Sequence, residues 1–569
     1  MPNIWKKSAS YSPEYINSIS EKLTVNHFYA TLLLNRGIAS VDDARAFFNP
    51  DIAHLHDPFL MKDMQKAVER IDQALNNDEK VWVYGDYDVD GTTSVAMMFG
   101  FLRQFIPNIE YYIPNRETEG YGVSELAIDL AIEKKVNLII TLDCGIRSVE
   151  LVKKAKDNSI DFVICDHHEP GEDTPVAVAV LDAKQPDCRY PYKELSACGV
   201  GFKLIQALCI KWDCPMEMAY DYLDLVAVSI ASDLVPITGE NRILASVGLK
   251  KLSENPSRGL QIIMQKFMQN RSIDITNVVF MIGPRINAAG RMANGTVAVQ
   301  LLLADMSLDL EELAQNLNEY NTLRRKLDTE TTHQALDFLA LDEHYKNKKT
   351  TVVAGNDWHK GVVGIVASRL IETHYKPTIV LTKSRGKYVG SARSVADFDI
   401  HEALINCSEY LEKFGGHKFA AGLTLLPEHL EKFMEAFEKQ ASSLTEEDLT
   451  PVILYESEIS LASIGESLFQ NINRFAPFGP QNMKPVFLTK KVQDTGNART
   501  MGEGHNHLKM NVISADCNQA IGATAFGFGQ LYPLIKDGKS FDMLYTIEEN
   551  IFNGNRNLQL MVKDIRVVE

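Results

Sequence analysis

Short apolar runs alternate with amphipathic stretches through the chain after residue 80. The runs at 81–84, 138–142 and 162–165 are continuous stretches of aliphatic and aromatic residues, which is typical of strands buried on both faces of a sheet. The intervening patterns fit helices, and the alternation predicts βαβ units with a mostly parallel sheet. The predicted helices include one at 92–105, one that begins at Ser148 and one at 220–232.

The pattern changes along the rest of the chain. The first 75 residues show helical periodicity with polar breaks, and the region 300–345 has few helix breakers. A second α/β alternation follows, and after about residue 450 short strands with turn residues fit a small β-barrel such as an OB-fold. We therefore expect an α/β protein with two α/β domains joined by a long helix, plus a C-terminal OB-fold-like barrel. The predicted segments are an N-terminal helical extension (1–75), a first α/β domain (76–300), connecting helices (301–345), a second α/β domain (346–448) and the barrel (449–569).

Composition and charge narrow the class of protein only slightly. The 569 residues predict about three to four domains, and 45% hydrophobic with 23% charged residues is ordinary for a soluble protein. The net charge of −17 excludes a surface that is basic throughout, but not a local basic groove for nucleic acid. The eight cysteines form no Cys-x-x-Cys pair, which argues against a zinc ribbon or a disulfide framework. The chain lacks an apolar signal segment or membrane span, so we expect a cytoplasmic protein.

Acidic and imidazole side chains follow each of the three buried strands. Ligands bind at the carboxyl ends of strands in open α/β sheets, so these side chains predict one metal-loaded cleft. Two metal ions about 3.5–4 Å apart can activate water and neutralise a phosphoryl group. Oxygen and imidazole ligands favour Mn²⁺ or Mg²⁺, although imidazole also suits Zn²⁺ and Co²⁺. The candidate ligands are Asp86, Asp88, Asp90, Asp143, His167 and Asp233, with Asp166 and His168 beside them.

Each of these motifs has a simpler interpretation when it is taken alone. Asp-x-Asp-Gly is common in turns and helix caps, Asp143 could cap the helix that follows it, and Asp233 could be a polar helix end. The hypothesis of a metal centre depends on all four elements occurring in order at strand or helix ends.

The same motifs resemble those of a known family. Asp-Tyr-Asp-x-Asp-Gly, Leu-Asp-Cys-Gly, Asp-His-His and Ser-Asp-Leu-Val-Pro are similar to the motifs of DHH phosphoesterases. The resemblance covers nearly the whole chain and extends to the single-strand-specific 5′ to 3′ exonucleases of that family. It implies a DHH catalytic domain at 76–300, a DHH-associated substrate-binding domain at 346–448 and a nucleic-acid-binding barrel at 449–569. Further similar segments are 35–38, 57–60, 114–122, 283–291 and 415–417.

The resemblance also implies roles for single residues. Asp143 should bridge both ions, and Asp88 should hold the first of them. Many family members place a histidine four residues before the equivalent of Asp88, where this chain has Tyr84, so the first site should rely on Asp86, on water or on substrate. Asp90, His167 and Asp233 should complete the second site. The implied catalytic residues are Asp88, Asp90, Asp143, His167, His168 and Asp233, with His168 facing the scissile phosphate or acting as a polar or acid group and Asp166 orienting a neighbour.

Arginine, serine and glycine residues are the candidates for substrate binding. Guanidinium groups suit bidentate phosphate contacts, and glycines expose backbone N–H groups to anions. The arginines could equally form surface or interface ion pairs. In the barrel, Phe478, Phe487 and Phe526 could stack on bases or belong to the core. The candidate substrate-binding residues are Arg116, Arg285, Arg291, Ser391, Arg393, Gly415, Gly416 and His417.

The resemblance implies a metal-dependent exonuclease for single-stranded DNA that acts in repair and recombination. It should release 5′-mononucleotides from the 5′ end with two Mn²⁺ or Mg²⁺ ions, and a narrow passage between the two α/β domains would exclude duplex. Two alternatives stay open: a DHH phosphodiesterase for cyclic dinucleotides or short oligonucleotides, and a catalytically decayed DNA-binding replication factor. The expected partners are single-stranded DNA, a single-strand-binding protein and a helicase, with no membrane and a monomeric chain.

Overall fold

The computed structural model divides the chain into two compact units. The larger contains 55–235 and 239–451, and the smaller contains 1–54, 236–238 and 452–569. No described helix combines the length and the apolar composition needed to cross a membrane. The described residues are 3–269, 271–305, 307–341, 345, 347–552 and 555–568, so residues 342–344 and 346, at the predicted domain junction, lie outside them.

The larger unit begins with the predicted parallel sheet, which has five strands. Every residue of the strands Val81–Gly85 and Leu138–Leu142 is buried, as expected when helices cover both faces of a parallel sheet. Because all strands run in the same direction, their carboxyl ends meet at one edge. The strand order is Ile109–Tyr112, Val81–Gly85, Leu138–Leu142, Asp161–Cys165 and Ala179–Leu181.

Helices surround this sheet and lead into the second domain. The predicted helix at 92–105 instead spans Val89–Leu102, because the side chain of Asp88 caps it by accepting from Gly91 N–H. A single helix of 32 residues, Leu310–Leu341, forms most of the connection. The helices are Met64–Asn76, Val89–Leu102, Glu125–Glu133, Val149–Asp157, Ala197–Lys211, Glu217–Tyr220, Leu223–Ser232, Gly239–Glu254, Arg258–Phe267, Ile275–Asn277, the π-helix Val278–Ile282, Gly283–Met292, Thr296–Leu303 and Leu310–Leu341.

The second α/β domain contains a mixed five-stranded sheet. Its strands Thr351–Gly355 and Thr378–Ser384 are parallel, and the other pairs are antiparallel. The helices Val363–Thr373, Ile400–Ile405 and Leu430–Gln440 accompany it. The strand order is Lys413–His417, Ala420–Leu425, Lys387–Arg393, Thr378–Ser384 and Thr351–Gly355.

The smaller unit contains the predicted barrel. The strand Phe487–Asp494 pairs with Phe541–Phe552 on one side and with His507–Ser514 on the other, which closes a five-stranded barrel. The predicted α/β class with an OB-like barrel is therefore confirmed. The strands of this sheet are Ser457–Glu458, Phe487–Asp494, Arg499–Met501, His507–Ser514, Cys517–Ala525, Phe541–Phe552 and Asn555–Val567, and the longer helices of the unit are Pro13–Leu23, His27–Leu34, Val41–Phe48, Glu466–Asn473 and Tyr532–Lys536.

The N-terminal segment differs from its predicted all-helical character. Residues Ile4–Lys7 form a strand that pairs in parallel with Val452–Tyr455. The ring of Phe28 stacks on that of Phe487 in the barrel core. A pairing between segments so distant in sequence leaves no local signal, and for this reason helical periodicity alone missed it.

Candidate metal centre

The candidate ligands lie at the carboxyl edge of the parallel sheet. Asp86 follows Val81–Gly85, Asp143 follows Leu138–Leu142, and His167 comes two residues after Asp161–Cys165. These three strands are neighbours in the sheet, so the geometry brings together side chains as far apart in sequence as Asp86 and His167. Asp143 has a φ of 64°, a left-handed conformation that is uncommon for residues other than glycine.

One group of possible ligands consists of three carboxylates. Ligand oxygens of Asp86, Asp88 and Asp143 lie within 4.8 Å of one another. Asp86 is buried, and its Oδ1 has no hydrogen-bond partner among the described residues. Burial and the nearby charge of Asp88 raise the pKa of Asp86. An orphaned buried carboxylate oxygen among other carboxylates fits a divalent cation.

A second group surrounds the imidazole of His167. Its Nε2 lies 3.2 Å from Asp143 Oδ1, 3.6 Å from Asp233 Oδ2 and 3.7 Å from Asp90 Oδ2. Burial, with the charge of His168, lowers the pKa of His167 to about 3. The ring is therefore neutral at physiological pH and offers a lone pair, as a metal ligand must. Because Asp143 approaches both groups, it is the residue that two ions would share.

Buried hydrogen bonds fix the orientation of Asp90. Its carboxylate accepts from Ala197 N–H at 2.8 Å, from Cys198 N–H at 2.9 Å and from Ser229 Oγ–H at 2.7 Å. Burial and the charge of Asp88 raise its pKa to about 6 despite these bonds. Burial also raises the pKa values of Asp143 and Asp233, and neighbouring carboxylates add to the effect. Several carboxylates thus compete for protons at one buried place, and a bound cation would relieve this repulsion.

Asp166 and His168 form a hydrogen-bonded pair, and a ring nitrogen of His168 also lies within 4.8 Å of ligand atoms of Asp143 and His167. Asp166 Oδ1 lies 2.7 Å from His168 Nδ1 and accepts from His167 N–H, while its Oδ2 accepts from Ile146 N–H at 2.9 Å. Burial alone would raise the pKa of Asp166, but the hydrogen bond with His168 holds it at about 2. Burial would lower the pKa of His168, and Asp166 raises it to about 9. The carboxylate of Asp166 therefore favours the protonated form of His168.

The hydroxyl of Tyr84 is bound away from this centre, which agrees with the weak metal-binding ability of a neutral tyrosine. Its hydroxyl donates to Gly122 O at 2.8 Å, and its ring stacks on Tyr112. Asp86, and not Tyr84, belongs to the first ligand group. The predicted reliance of that site on Asp86 is compatible with this placement.

Three of the predicted arginines lie close enough for their charges to interact, and Arg291 also interacts with the charge of Asp88. Burial lowers the pKa of Arg291 to about 10 and that of Arg393 below its usual value, and the charge of Arg116 adds to the lowering in both. Arg393 Nη1 donates to Ser391 Oγ at 2.7 Å. A Cβ at Gly364, in the first turn of helix Val363–Thr373, would lie 3.1 Å from Ser391 Oγ. Guanidinium groups that repel one another beside a helix N-terminus make a site for an anion.

The glycine-rich segment reaches this site from the second domain. Gly416 has a φ of 152°, and a Cβ there would lie 2.3 Å from Ala420 O, so only glycine fits. Arg147 Nη1 donates to Gly416 O at 3.2 Å. Burial lowers the pKa of His417, and the charges of Arg393 and His168 add to this. Gly415 and Gly416 precede His417 on the same strand, so the segment lies across from His168.

Arg285 is the predicted substrate residue that the structure does not bring to this site. Its guanidinium donates to Met281 O and to Asn318 Oδ1, and it lies 4.5 Å from the ring of Phe267. These contacts join helix Gly283–Met292 to the long connecting helix. Arg291, in the same motif, instead interacts with the charge of Asp88 and donates to Gly361 O at 3.1 Å.

Sequence reasoning missed three residues that contact the predicted site. Ser229 lies one turn before Asp233 on the same helix, so helical spacing could have identified it. The hydroxyl of Tyr121 lies 3.0 Å from His168 Nε2 although 58% of the residue is exposed. Arg147 contacts Glu169 O and Gly416 O, and no sequence signal reveals a contact between domains.

Family models match most of the chain in three segments. The DHH family N-terminal domain covers 80–230, the DHHA1 domain covers 347–443, and the RecJ OB domain covers 455–564. A single-stranded-DNA-specific exonuclease RecJ of Bacillus subtilis is 36% identical over 560 residues, which is 97% of this chain and 70% of the relative. The chain belongs to the RecJ family.

Other RecJ proteins extend this likeness to the structure. The RecJ of Haemophilus influenzae is 33% identical over 89% of this chain and 91% of its own length. A crystal structure of Thermus thermophilus RecJ in complex with Mn²⁺ superimposes with a TM-score of 0.84 at 26% identity, over all of this chain and 80% of that one. The similarity to RecJ therefore extends over the whole of this chain.

Proposed function

We propose that this chain is a single-stranded-DNA-specific exonuclease. It hydrolyses phosphodiester bonds with two divalent cations, Mn²⁺ or Mg²⁺, and releases 5′-mononucleotides from the 5′ end, in DNA repair and recombination. The relatives described above carry the name single-stranded-DNA-specific exonuclease, and one of them has a structure with Mn²⁺. The observation that carries the proposal is the pair of ligand groups that share Asp143 at one buried sheet edge.

The ligand atoms divide between two cations. Asp86, Asp88 and Asp143 form one group, and His167 lies with Asp90, Asp143 and Asp233 in the other. When bound, the two ions supply a water activated for attack and positive charge for the phosphoryl oxygens. In this proposal the buried hydrogen bonds to Asp90 hold its carboxylate in place, so that little reorganisation is needed during the reaction.

His168 is the side chain suited to the reacting phosphate. Its ring is held by Asp166, and its side chain is 39% exposed, in contrast to that of His167. A cationic imidazole beside the ligands can donate a hydrogen bond to a phosphoryl oxygen or protonate the leaving 3′-oxygen. Asp166 acts through His168 and does not touch the substrate in this proposal.

The arginine cluster fits a terminal phosphate. Release of a 5′-mononucleotide leaves a phosphate on the next nucleotide, so every new 5′ end is an anion. Arg116, Arg291 and Arg393 supply the opposing charge, and Ser391 adds a hydroxyl. We propose that this group binds the terminal phosphate, and that Gly415, Gly416 and His417 contact the neighbouring nucleotide. Arg285 does not belong to this phosphate-binding group, because its guanidinium donates to Met281 and Asn318 within the fold.

Contacts between the two α/β domains support the selection of single strands. Lys360 Nζ donates to Glu117 O at 2.8 Å. Arg147, which also contacts Glu169 O directly after His168, donates to Gly416 O. In this proposal the two hydrogen bonds narrow the passage between the domains. A passage that is closed in this way admits one flexible strand more easily than a rigid duplex.

The barrel offers a surface for a single strand. Phe526 is 54% exposed and packs edge-on against His507, with ring centroids 5.0 Å apart. Arg499 and Lys509 are paired on adjacent strands of the same sheet, so aromatic and basic groups occur together as in other OB-folds that bind single strands. Phe487 is fully buried, which removes it from the stacking candidates, and Phe478 packs against the core.

The two alternative functions fit less well. A phosphodiesterase for cyclic dinucleotides has no need of the RecJ OB domain that matches residues 455–564. A decayed replication factor has no need to keep buried carboxylates that repel one another. A single-strand-binding protein, a helicase and a monomeric chain stay predictions.

The test uses single strands labelled at either end, with Mn²⁺ and with EDTA. We expect labelled mononucleotide as the first product from the 5′-labelled strand, little cleavage of blunt duplex, and no product with EDTA. The variant Asp143→Ala should bind the strand without cleaving it. Mononucleotide release from the 3′ end would contradict the polarity. Activity restricted to dinucleotides would favour the small-substrate alternative.

A further inference from the structure

Tyr87 lies between Asp86 and Asp88 but has no role in the reaction proposed above. It is only 8% exposed, and the guanidinium carbon of Arg116 lies 5.1 Å from the centroid of its ring. Guanidinium groups are attracted to the face of an aromatic ring. The middle residue of the aspartate motif is therefore in contact with an arginine of the cluster that we expect to bind phosphate.

Carboxylates do not hold Arg116 in place. The nearby Glu119 is engaged by the hydroxyl of Tyr112 at 3.1 Å and by Asn115 N–H at 2.7 Å. In the described part of the chain, no ion pair joins Arg116 to a carboxylate, and its guanidinium lies over the ring of Tyr87. The charge of Arg116 thus stays available to an anion while the ring restricts where the side chain can point.

Close packing of two glycines fixes the position of Tyr87. A Cβ at Gly290 would lie 2.3 Å from Tyr87 O, and a Cβ at Gly295 would lie 3.2 Å from Tyr87 Cα. Larger residues at these positions would push the Tyr87 segment out of place. Segment 283–291, one of those that resemble the known family, therefore contributes more than Arg291. Its Gly290 packs against the backbone of Tyr87.

We propose that Tyr87 is a positioning residue that holds the guanidinium of Arg116 ready for the 5′-terminal phosphate of the bound strand. The inference rests on the proposed function, which makes that phosphate the group present at every new end. A free arginine samples many rotamers, and a stacked one loses less freedom when the anion binds. The ring face is the part of Tyr87 that matters, so phenylalanine should replace it.

The experiment compares two single strands of one sequence, one with a 5′-phosphate and one with a 5′-hydroxyl. The readout is the ratio of kcat/KM for the first strand to that for the second, measured in Mn²⁺. We expect a high ratio in the wild type and in Tyr87→Phe. Tyr87→Leu should lower the ratio about tenfold, which corresponds to ~1.4 kcal/mol and lies within the range of a desolvated cation–π contact.

A double variant tests whether Tyr87 acts through Arg116. Arg116→Ala alone should lower the ratio at least as far as Tyr87→Leu, and combining the two should lower it no further than Arg116→Ala alone. The rise in melting temperature caused by Mn²⁺ should match the wild type in each variant, which shows that the loop of Asp86 and Asp88 is intact. Tyr87→Met provides a second non-aromatic replacement if the leucine variant loses that rise.

Three results would overturn the inference while leaving the exonuclease proposal in place. They are equal rates of the wild type on both strands, an unchanged ratio in both non-aromatic variants, and a loss of the ratio in Tyr87→Phe. A wild-type protein that releases no nucleotide from either strand in Mn²⁺ would instead contradict the proposed function itself. A merely structural role of Tyr87 would lower the rates on both strands in proportion and leave the ratio unchanged.

Discussion

The metal-binding side of the cleft and its phosphate-binding side obtain their residues in different ways. Asp86, Asp143 and His167 follow three neighbouring strands of one sheet. Arg116 and Arg393, in contrast, belong to different domains. The sheet alone brings the first set together, whereas the second set depends on how the domains contact each other. A change in the domain contacts should therefore affect phosphate binding before it affects the metal centre.

The two sides are also opposite in charge. Burial and neighbouring carboxylates raise the pKa values of Asp143 and Asp233. Burial and neighbouring cations lower the pKa values of Arg291 and Arg393. On each side, like charges are held together and favour a ligand of the opposite sign, which is a cation in one case and a phosphate in the other.

The largest effect should come from the residue that the two ions would share. We expect Asp143→Asn to lower kcat/KM at least about a thousandfold, or ~4 kcal/mol, since neither ion keeps its full ligand set. Strand binding should change less than about threefold, because the phosphate-binding side is intact. Mononucleotide release and fluorescence anisotropy of a labelled strand measure the two quantities.

The exposed Asp157, at the end of helix Val149–Asp157, supplies the matched control. Asp157→Asn removes the same charge from the same domain and should leave both quantities unchanged. A loss below tenfold in Asp143→Asn would show that the carboxylate is not shared. Equal losses of binding and cleavage would show that the two sides are not separate.

A smaller effect should follow from the residue that orients His168. Asp166→Asn keeps the shape of the side chain but removes the charge that faces His168 Nδ1 at 2.7 Å. We expect kcat to fall by up to about 100-fold, as for other residues that orient side chains around a metal without contacting the metal. The Mn²⁺ concentration for half-maximal activity should rise by a smaller factor. If the whole loss disappears at saturating Mn²⁺, Asp166 supports metal binding and not the orientation of His168.

The metal-binding side is built on one sheet, whereas the phosphate-binding side is built from two domains. This difference also explains which parts of the site could be predicted from sequence. Asp143 directly follows an apolar run and His167 follows one after a single intervening residue, so the apolar pattern alone placed them at one edge. A helix cap at Asp88 could also be predicted from sequence, although the predicted helix began three residues after the observed one. The arginines were chosen from guanidinium chemistry and from the resemblance, and neither separated Arg291 from Arg285. Both lie on one short helix, and only tertiary packing decides which of them faces the cleft.

Long-range pairing set the other limit of sequence reasoning. The strand Ile4–Lys7 pairs with Val452–Tyr455, and no local pattern indicates a partner at the other end of the chain. The barrel strands were recognised from their spacing, but Phe487 and Phe526 carry the same signal. Phe487 is buried on a barrel strand, whereas the exposed Phe526 lies in the turn directly after the strand Cys517–Ala525, and a single sequence does not state which of them is inside.

Arg393, on strand Lys387–Arg393, and Arg285, on helix Gly283–Met292, allow a sharper test of the phosphate-binding side. Arg393→Ala should raise KM about tenfold on 5′-phosphorylated strands, since a charged hydrogen bond contributes ~1.5 kcal/mol or more. Arg285→Ala should leave KM within about twofold and should lower the melting temperature instead, because its contacts are with Met281, Asn318 and Phe267. Steady-state kinetics and thermal unfolding distinguish the two. A rise in KM for Arg285→Ala would show that Arg285 does contribute to substrate binding.

The smallest effect should come from the barrel, where binding is spread over several groups. Phe526→Ala should weaken binding of a long single strand about fivefold, or ~1 kcal/mol, the lower end of the range for one stacked base. Binding of a trinucleotide should not change, because such a short strand is held at the metal centre and arginine cluster. Phe487→Ala is the control of opposite character: it removes a buried ring, so it should destabilise the protein by ~3 kcal/mol or more. Equal loss of affinity for the long and the short strand in Phe526→Ala would mean that the exposed ring stabilises the fold and does not contact DNA.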